Sequence, residues 1–450
     1  MTKLFGTDGI RGITNKDLTP SLAYKIGGSV SKVLKEELNK QNLTFIIGTD
    51  TRISKDMLTD ATSSGVLSFG CNIIDVGVLP TPAISYLTKK LNADGAFIIS
   101  ASHNPSQYNG IKVLDNNGYK LSSALEEKVE ENILNFKENN NINECGIRTK
   151  EECKVELYIN HLLSTINIKD ELQNKKILID TANGASYKTA DKLFSKLNIN
   201  YTLINNTPDG LNINKDAGST HIDKLKELVL KEHYDLAIAY DGDADRCIML
   251  DEDANEIDGD YILAICSNYL KENNMLKNNT IVGTVMSNLG LINYCKDHNI
   301  NFVATKVGDK YVLENMLEND YILGGEQSGH IIFKEYANTG DGQLTSLQVL
   351  NVMAHTNMSL KELKNIMKKY PQVMINVNAT KEQKELYKTN EKIKDEINNI
   401  ENTLKEDGRV LVRPSGTENL IRVMIEGKDI DTINKYCKEL ASFIEKELNK

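Results

Sequence analysis

The chain has 450 residues, with 53 Lys+Arg against 63 Asp+Glu and a formal charge of −10. It is 40% hydrophobic and 26% charged, which excludes a disordered polymer, and the acidic balance excludes partners that need a broad basic face, such as nucleic acid or a membrane surface. At ~150 residues per domain, the length suggests about three domains.

In chain order, the pattern repeats three times. An apolar strand Phe45–Gly48 meets the turn Thr49–Thr51, a helical stretch and a second strand, Asn72–Val76; a third strand, Gly95–Ile99, runs into Ser100–Pro105. The hairpin Ile111–Leu114 and Tyr119–Leu121 follows across an Asn-Gly turn, then the amphipathic stretch Leu125–Phe136. Strands Lys176–Ile179, Ile199–Ile204 and Asp235–Tyr240 repeat the arrangement, the last running into Asp241–Arg246, with Cys247–Leu250 and Glu256–Ile257 as the next hairpin. Strands Thr280–Val282, Asn301–Thr305 and Tyr321–Leu323 form the third copy, running into Gly324–His330 and then Ile331–Phe333. Short strands alternating with helical stretches predict βαβ units and mixed, mainly parallel sheets. From Pro371 the pattern changes. Strand-like Val373–Val377, a charged helical stretch Lys381–Leu404, strands Val410–Val412 and Ile421–Ile425 and a final helix Ile430–Leu448 predict a smaller α+β domain. The domains expected are 1–155, 156–255, 256–369 and 370–450.

Ligands of open α/β sheets sit beyond the carboxyl ends of strands, where each repeat carries a polar loop. Asp241, Asp243 and Asp245 alternate after a strand, and their oxygens suit a hard cation such as Mg²⁺. An EF-hand shares Asp at positions 1, 3 and 5 and Glu252 at position 12, but Arg246 stands where that loop needs glycine. A phosphatase with an aspartate nucleophile and a solvated acidic turn are the other readings. Ser102, beside His103, reads as a nucleophile or phosphoryl carrier, or as an ordinary turn residue. Lys112 faces the same cleft or solvent. Glu326, Ser328 and His330 suit hydrogen bonds to sugar hydroxyls. Arg413, Ser415, Gly416 and Thr417 have the composition of a phosphate nest or of a plain turn.

The whole chain holds seven arginines: Arg11, Arg52, Arg148, Arg246, Arg409, Arg413 and Arg422. Lysine serves everywhere else, so arginine is expected where its planar fork matters, above all at phosphate. Seven cysteines without a C-x-x-C pair read as reduced thiols of a cytoplasmic protein. No apolar run approaches the ~20 residues of a membrane span.

Together FGTDGIRG (Phe5–Gly12), SASHNPSQYNGIK (Ser100–Lys112), DGDADR, GGEQSGH and RPSGTE (Arg413–Glu418), in this order, resemble the α-D-phosphohexomutases over the whole chain. With TKVGDKYVLE (Thr305–Glu314), they are most similar to the branch acting on glucosamine phosphates. The resemblance implies three similar mixed-sheet α/β domains plus a smaller C-terminal α+β domain around a central cleft. It implies that Ser102 carries a phosphoryl group, with His103, Lys112 and Arg11 at the reacting end. Asp241, Asp243, Asp245 and an oxygen at Ser102 would hold Mg²⁺. Arg246, Lys306, Glu326, Ser328, His330, Arg413, Ser415, Gly416, Thr417 and Arg422 would bind a small-molecule sugar phosphate. A hexosamine 1,6-bisphosphate is the implied intermediate, and a homodimer the implied assembly. Asn419 departs from the proline that often follows SGTE in the family, which loosens that turn.

Overall fold

The computed structural model describes residues 4–6, 8–139, 141, 145–415 and 419–449. They divide into two compact units, Met1–Met286 with Ile300–Ile366, and Ser287–Asn299 with Met367–Lys450.

The first unit contains three sheets built to one plan. In each, three parallel strands are followed by a fourth, antiparallel one. The first has the order Asn72–Val78, Thr44–Thr49, Gly95–Ile99, Tyr108–Asp115, extended by Ile10–Ile13 at one edge and Arg148–Lys150 at the other. The second runs Asn200–Ile204, Lys176–Asp180, Leu236–Tyr240, Cys247–Asp251, with Glu256–Ile257 added. The third runs Asn301–Thr305, Thr280–Thr284, Leu323–Gly325, Ile331–Phe333. The central strands Gly95–Ile99 and Leu236–Tyr240 are buried along their whole length, as expected of strands covered on both faces. Phe45 and Phe97 pack together between sheet and helix, ring centres 5.2 Å apart.

The expected third strand Tyr321–Leu323 lies two residues later. Tyr321 instead donates its N–H to Met316 at the end of the helix Asp309–Asn319 (2.9 Å), so its apolar ring belongs to the helix terminus. In the first hairpin the return arm Tyr119–Leu121 reduces to one bridge, Leu114 to Lys120. Asn117-Gly118 makes the turn as expected, with Gly118 at φ +81°.

Helices Pro20–Leu38 and Lys55–Ser68 cross at glycines on both sides. A Cβ on Gly27 would lie 2.2 Å from the Thr62 carbonyl oxygen, and one on Gly65 would lie 2.1 Å from that of Tyr24. The intrinsic helix cost of glycine, about 1 kcal/mol, is offset by this close approach. Gly65→Val is therefore expected to lower stability by roughly 1–3 kcal/mol through forced separation of the helices. Urea titration reads the shift, and an unchanged midpoint would refute it.

In the second unit the strands Gln372–Asn378, Leu420–Gly427 and Gly408–Pro414 form an antiparallel sheet backed by Ile430–Leu448, whose Ile444 shares a core with Val377, Ile421 and Val423. The stretch expected as one helix over 381–404 is two, Lys381–Thr389 and Glu391–Leu404, because Asn390 is extended and caps the second through Ile393 N–H (3.2 Å). The helix Leu289–Asp297 also belongs to this unit. Buried Glu426 accepts Leu289 N–H (3.1 Å) and Asn288 Nδ2 (3.0 Å) at its N-terminus, where a carboxylate meets the positive end of the helix dipole. No helix among the described residues is long and apolar enough to cross a membrane.

Candidate active site

The Ser102 loop is shaped from beneath by Arg52, which has no exposed surface. Its five N–H donors are all engaged. Nε donates to Asp50 Oδ2 (2.9 Å), Nη1 to the carbonyls of Pro105 (2.5 Å) and Tyr108 (2.9 Å), and Nη2 to those of Ser102 (2.9 Å) and Asn104 (2.8 Å). Asn214 Nδ2 adds a further bond to the Ser102 carbonyl (2.9 Å). Ser100 Oγ donates to Asp50 (2.6 Å) and accepts the Ser102 N–H (3.0 Å). These contacts hold Ser102 at φ +52°, a left-handed conformation costing a non-glycine residue roughly 1–2 kcal/mol. The return is position: Ser102 Oγ donates to Asp241 Oδ2 at 2.7 Å.

Asp241, Asp243 and Asp245 are all buried, with one oxygen from each lying within 4.8 Å of the others. Gly242 lets this loop touch the serine loop, since a Cβ there would lie 2.6 Å from the Ser102 carbonyl oxygen. Burial raises the Asp241 carboxyl well above its ordinary range, and the charges of Asp245 and Asp243 add to this. Burial and Asp243 likewise raise Asp245. Burial pushes Asp243 upward as well, but the Lys112 ammonium outweighs it and holds the group below its usual value. Lys112 Nζ donates to Asp243 Oδ2 (2.7 Å), and Thr81 Oγ1 reaches the same oxygen (2.7 Å). Asp243 Oδ1 and Asp245 Oδ1 are buried without a hydrogen-bond partner. Crowded carboxylates with unused oxygens fit a hard divalent cation. The loop joins two antiparallel strands, Leu236–Tyr240 and Cys247–Asp251, not two helices, so the EF-hand reading is excluded.

An open cavity of about 390 Å³ lies over this centre, lined among others by Arg11, Ser102, Asp245, Arg246, Glu326 and His330. Arg11 Nε and Arg246 Nε are buried and make no hydrogen bond, leaving donors for an anion. His103 lines the same cavity. Burial, then the charges of Arg246 and Arg11, lower its imidazole to about 4. Glu326 Oε1 accepts Gly308 N–H (3.1 Å). Ser328 is exposed at the rim, and both ring nitrogens of buried His330 are unbonded. Lys306 is not brought to this cavity; its ammonium sits 5.8 Å from the Tyr311 ring centre.

Arg413 and Arg422 lie in the second unit, directly opposite each other on paired strands. Burial, then the Arg422 charge, lower the Arg413 guanidinium below its usual value. Two facing guanidinium groups suit a shared anion. Ser415 accepts Lys384 Nζ through its carbonyl (2.9 Å). Gly416 and Thr417 lie outside the described residues.

Asp8, Lys120, Asp309, Thr81 and Asn214 escaped the sequence reading. Asp8 accepts Lys112 (2.9 Å), Lys120 (2.6 Å) and Arg11. Burial opposes ionisation of Asp8, but Lys112, Lys120 and Arg11 hold its carboxyl well below the ordinary range. Its signal was available, since it stands inside FGTDGIRG. Thr81 and Asp243 are 162 positions apart, and nothing local announces such a pair.

Four family models match in sequence: phosphoglucomutase/phosphomannomutase α/β/α domain I over residues 2–140, domain II over 156–255, domain III over 258–370 and the C-terminal domain over 374–443. The chain is 49% identical over 451 residues to a phosphoglucosamine mutase of Acetivibrio thermocellus, covering 100% of both chains. It is 49% identical over 452 residues to that of Clostridium acetobutylicum, again with 100% of both covered. Among solved structures, a phosphoglucomutase/phosphomannomutase family protein of Burkholderia thailandensis shares the fold over 100% of this chain and 98% of its own, with TM-score 0.82 at 20% identity.

Proposed function

The chain belongs to the phosphoglucomutase/phosphomannomutase family, and on that premise we propose that it is an isomerase interconverting glucosamine 6-phosphate and glucosamine 1-phosphate. The contact of Ser102 with the buried aspartates carries the reaction type. Full-length likeness to phosphoglucosamine mutases supports the choice of sugar.

Ser102 Oγ carries a phosphoryl group. The sugar O1 attacks its phosphorus: the O1–P bond forms, the Oγ–P bond breaks, O1 loses its proton and Oγ regains one. The 1,6-bisphosphate turns over, and its 6-phosphoryl group returns to Ser102 by the reverse step at O6. A Mg²⁺ held by Asp241, Asp243, Asp245 and an oxygen at Ser102 supplies charge neutralisation when bound. Arg11, Arg246 and Lys112 add fixed positive charge around the moving group. Glu326, Ser328 and His330 orient the sugar; Lys306, outside the cavity, takes no part. Arg413, Ser415, Gly416, Thr417 and Arg422 hold the phosphate not in transfer. We place the reaction in the cytoplasm, where seven free cysteines are at home. The homodimer implied by the resemblance is tested by light scattering.

Turnover of glucosamine 6-phosphate is expected to exceed that of glucose and mannose phosphates, and to vanish with EDTA and return with Mg²⁺. Faster turnover of mannose 6-phosphate would shift the assignment to a phosphomannomutase/phosphoglucomutase. Full activity in EDTA would overturn the metal's role.

A further inference from the structure

We propose that Lys120 is a positioning residue, an ammonium bridge that sets the sugar-orienting loop against the phosphoryl-transfer centre. The inference rests on the mutase reading above. Lys120 lies in the return arm of the first hairpin, where its backbone is fixed by the bridge to Leu114. Its Nζ lies 2.6 Å from Asp8 Oδ1 and 2.5 Å from Asp309 Oδ2. The two carboxylates come from segments about 300 positions apart in the chain, within matches to two different domain models. Both line the catalytic cavity, whereas Lys120 does not and lines an adjoining one instead.

Each carboxylate governs a different half of the site. Asp8 holds Arg11 and Lys112, and Lys112 in turn holds Asp243. Asp309 opens the helix Asp309–Asn319 next to Gly308, whose N–H fixes Glu326, and it lies 3.7 Å from His330 Nε2. One partly buried ammonium therefore links the cations serving Ser102 to the groups that orient the sugar. Without it, two carboxylates face each other with a cation removed, and like charges at this range repel. The reacting groups move apart even though neither is altered, and a shift near 1 Å costs on the order of 100-fold in rate.

The test measures K120M, K120R and the parent as full-length proteins, by steady-state turnover of glucosamine 6-phosphate with Mg²⁺ and by thermal melting. The expected result is a kcat loss on the order of 10- to 100-fold in K120M, a smaller change in KM, and recovery of most of the loss in K120R, which keeps the charge and both donors. The inference is overturned if K120M keeps the parent's kcat, or if K120R is as slow as K120M. Should K120M fail to fold, K120Q, which keeps N–H donors but not the charge, is measured in its place against the same two outcomes. An inactive parent would instead refute the mutase reading, so the two failures are distinguishable.

Discussion

Ser102→Ala is expected to lower turnover by on the order of 10⁴- to 10⁶-fold, the scale of losing a covalent nucleophile, while the protein still folds and binds sugar phosphate. The hydroxyl is buried and aimed at Asp241, so no neighbouring group can take its place. Ser102→Thr is a sharper probe. It keeps an oxygen nucleophile but places a β-branched side chain at φ +52°, where such residues are outliers. It should fall well below the parent in activity and melt earlier. Ser102→Gly removes the left-handed strain and should melt no lower than Ser102→Ala, yet be inactive. Intact mass supplies the independent readout: the parent carries one phosphoryl group, and the alanine and glycine variants carry none. Parent-like turnover in Ser102→Ala would end the carrier role.

Arg52→Met is expected to cost about 3–5 kcal/mol, the scale of leaving one partner of a buried ion pair uncompensated. The change leaves the fully buried Asp50 carboxylate without its counter-charge and takes one donor from each of the carbonyls of Ser102, Asn104, Pro105 and Tyr108. Burial already raises Asp50 above its ordinary value, with Arg52 opposing. In Arg52→Met the group should be protonated over a wider pH range, limiting part of the loss. Arg52→Lys should recover only a fraction, because an ammonium has three donors for five contacts. Denaturant unfolding measures the cost. A loss below about 1 kcal/mol, the scale of a single ordinary hydrogen bond, would refute the clamp.

The repeat was legible because it rests on local signals: strand periodicity, turn residues, and a polar loop after each third strand. The positions of Ser102, the aspartates and Glu326 followed from it. The arginines are more instructive. Their scarcity pointed to positions where a planar fork matters, and that holds, but the fork serves the chain itself at three of them. Arg52 gathers the serine loop. Arg148 binds Asp75 and Asp60 (both 2.6 Å) and pins the edge strand Arg148–Lys150. Arg409 pairs with Glu426 (2.6 Å) and the Ser287 carbonyl (2.5 Å), not with the Arg413 loop. Residue type reveals the geometry wanted, but not whether the acceptor is a ligand or another part of the fold. The same limit hid the Lys112–Asp243 pair, whose members are 131 positions apart. Element ends failed where capping decided them, as at Asn390 and Tyr321.

The Glu426 cap bears on how the chain is made. The first two sheets are each assembled from one uninterrupted stretch of sequence, so each can close as soon as its last strand leaves the ribosome. The helix Leu289–Asp297 has a local cap, Asn288 accepting Gly290 N–H (2.9 Å), but its second acceptor comes later. Its capping carboxylate is encoded 137 positions downstream of Leu289, and at 5–20 residues per second that is a wait on the order of 10 s. Until then Asn288 alone caps this helix, and the contact that ties it to the C-terminal sheet forms last.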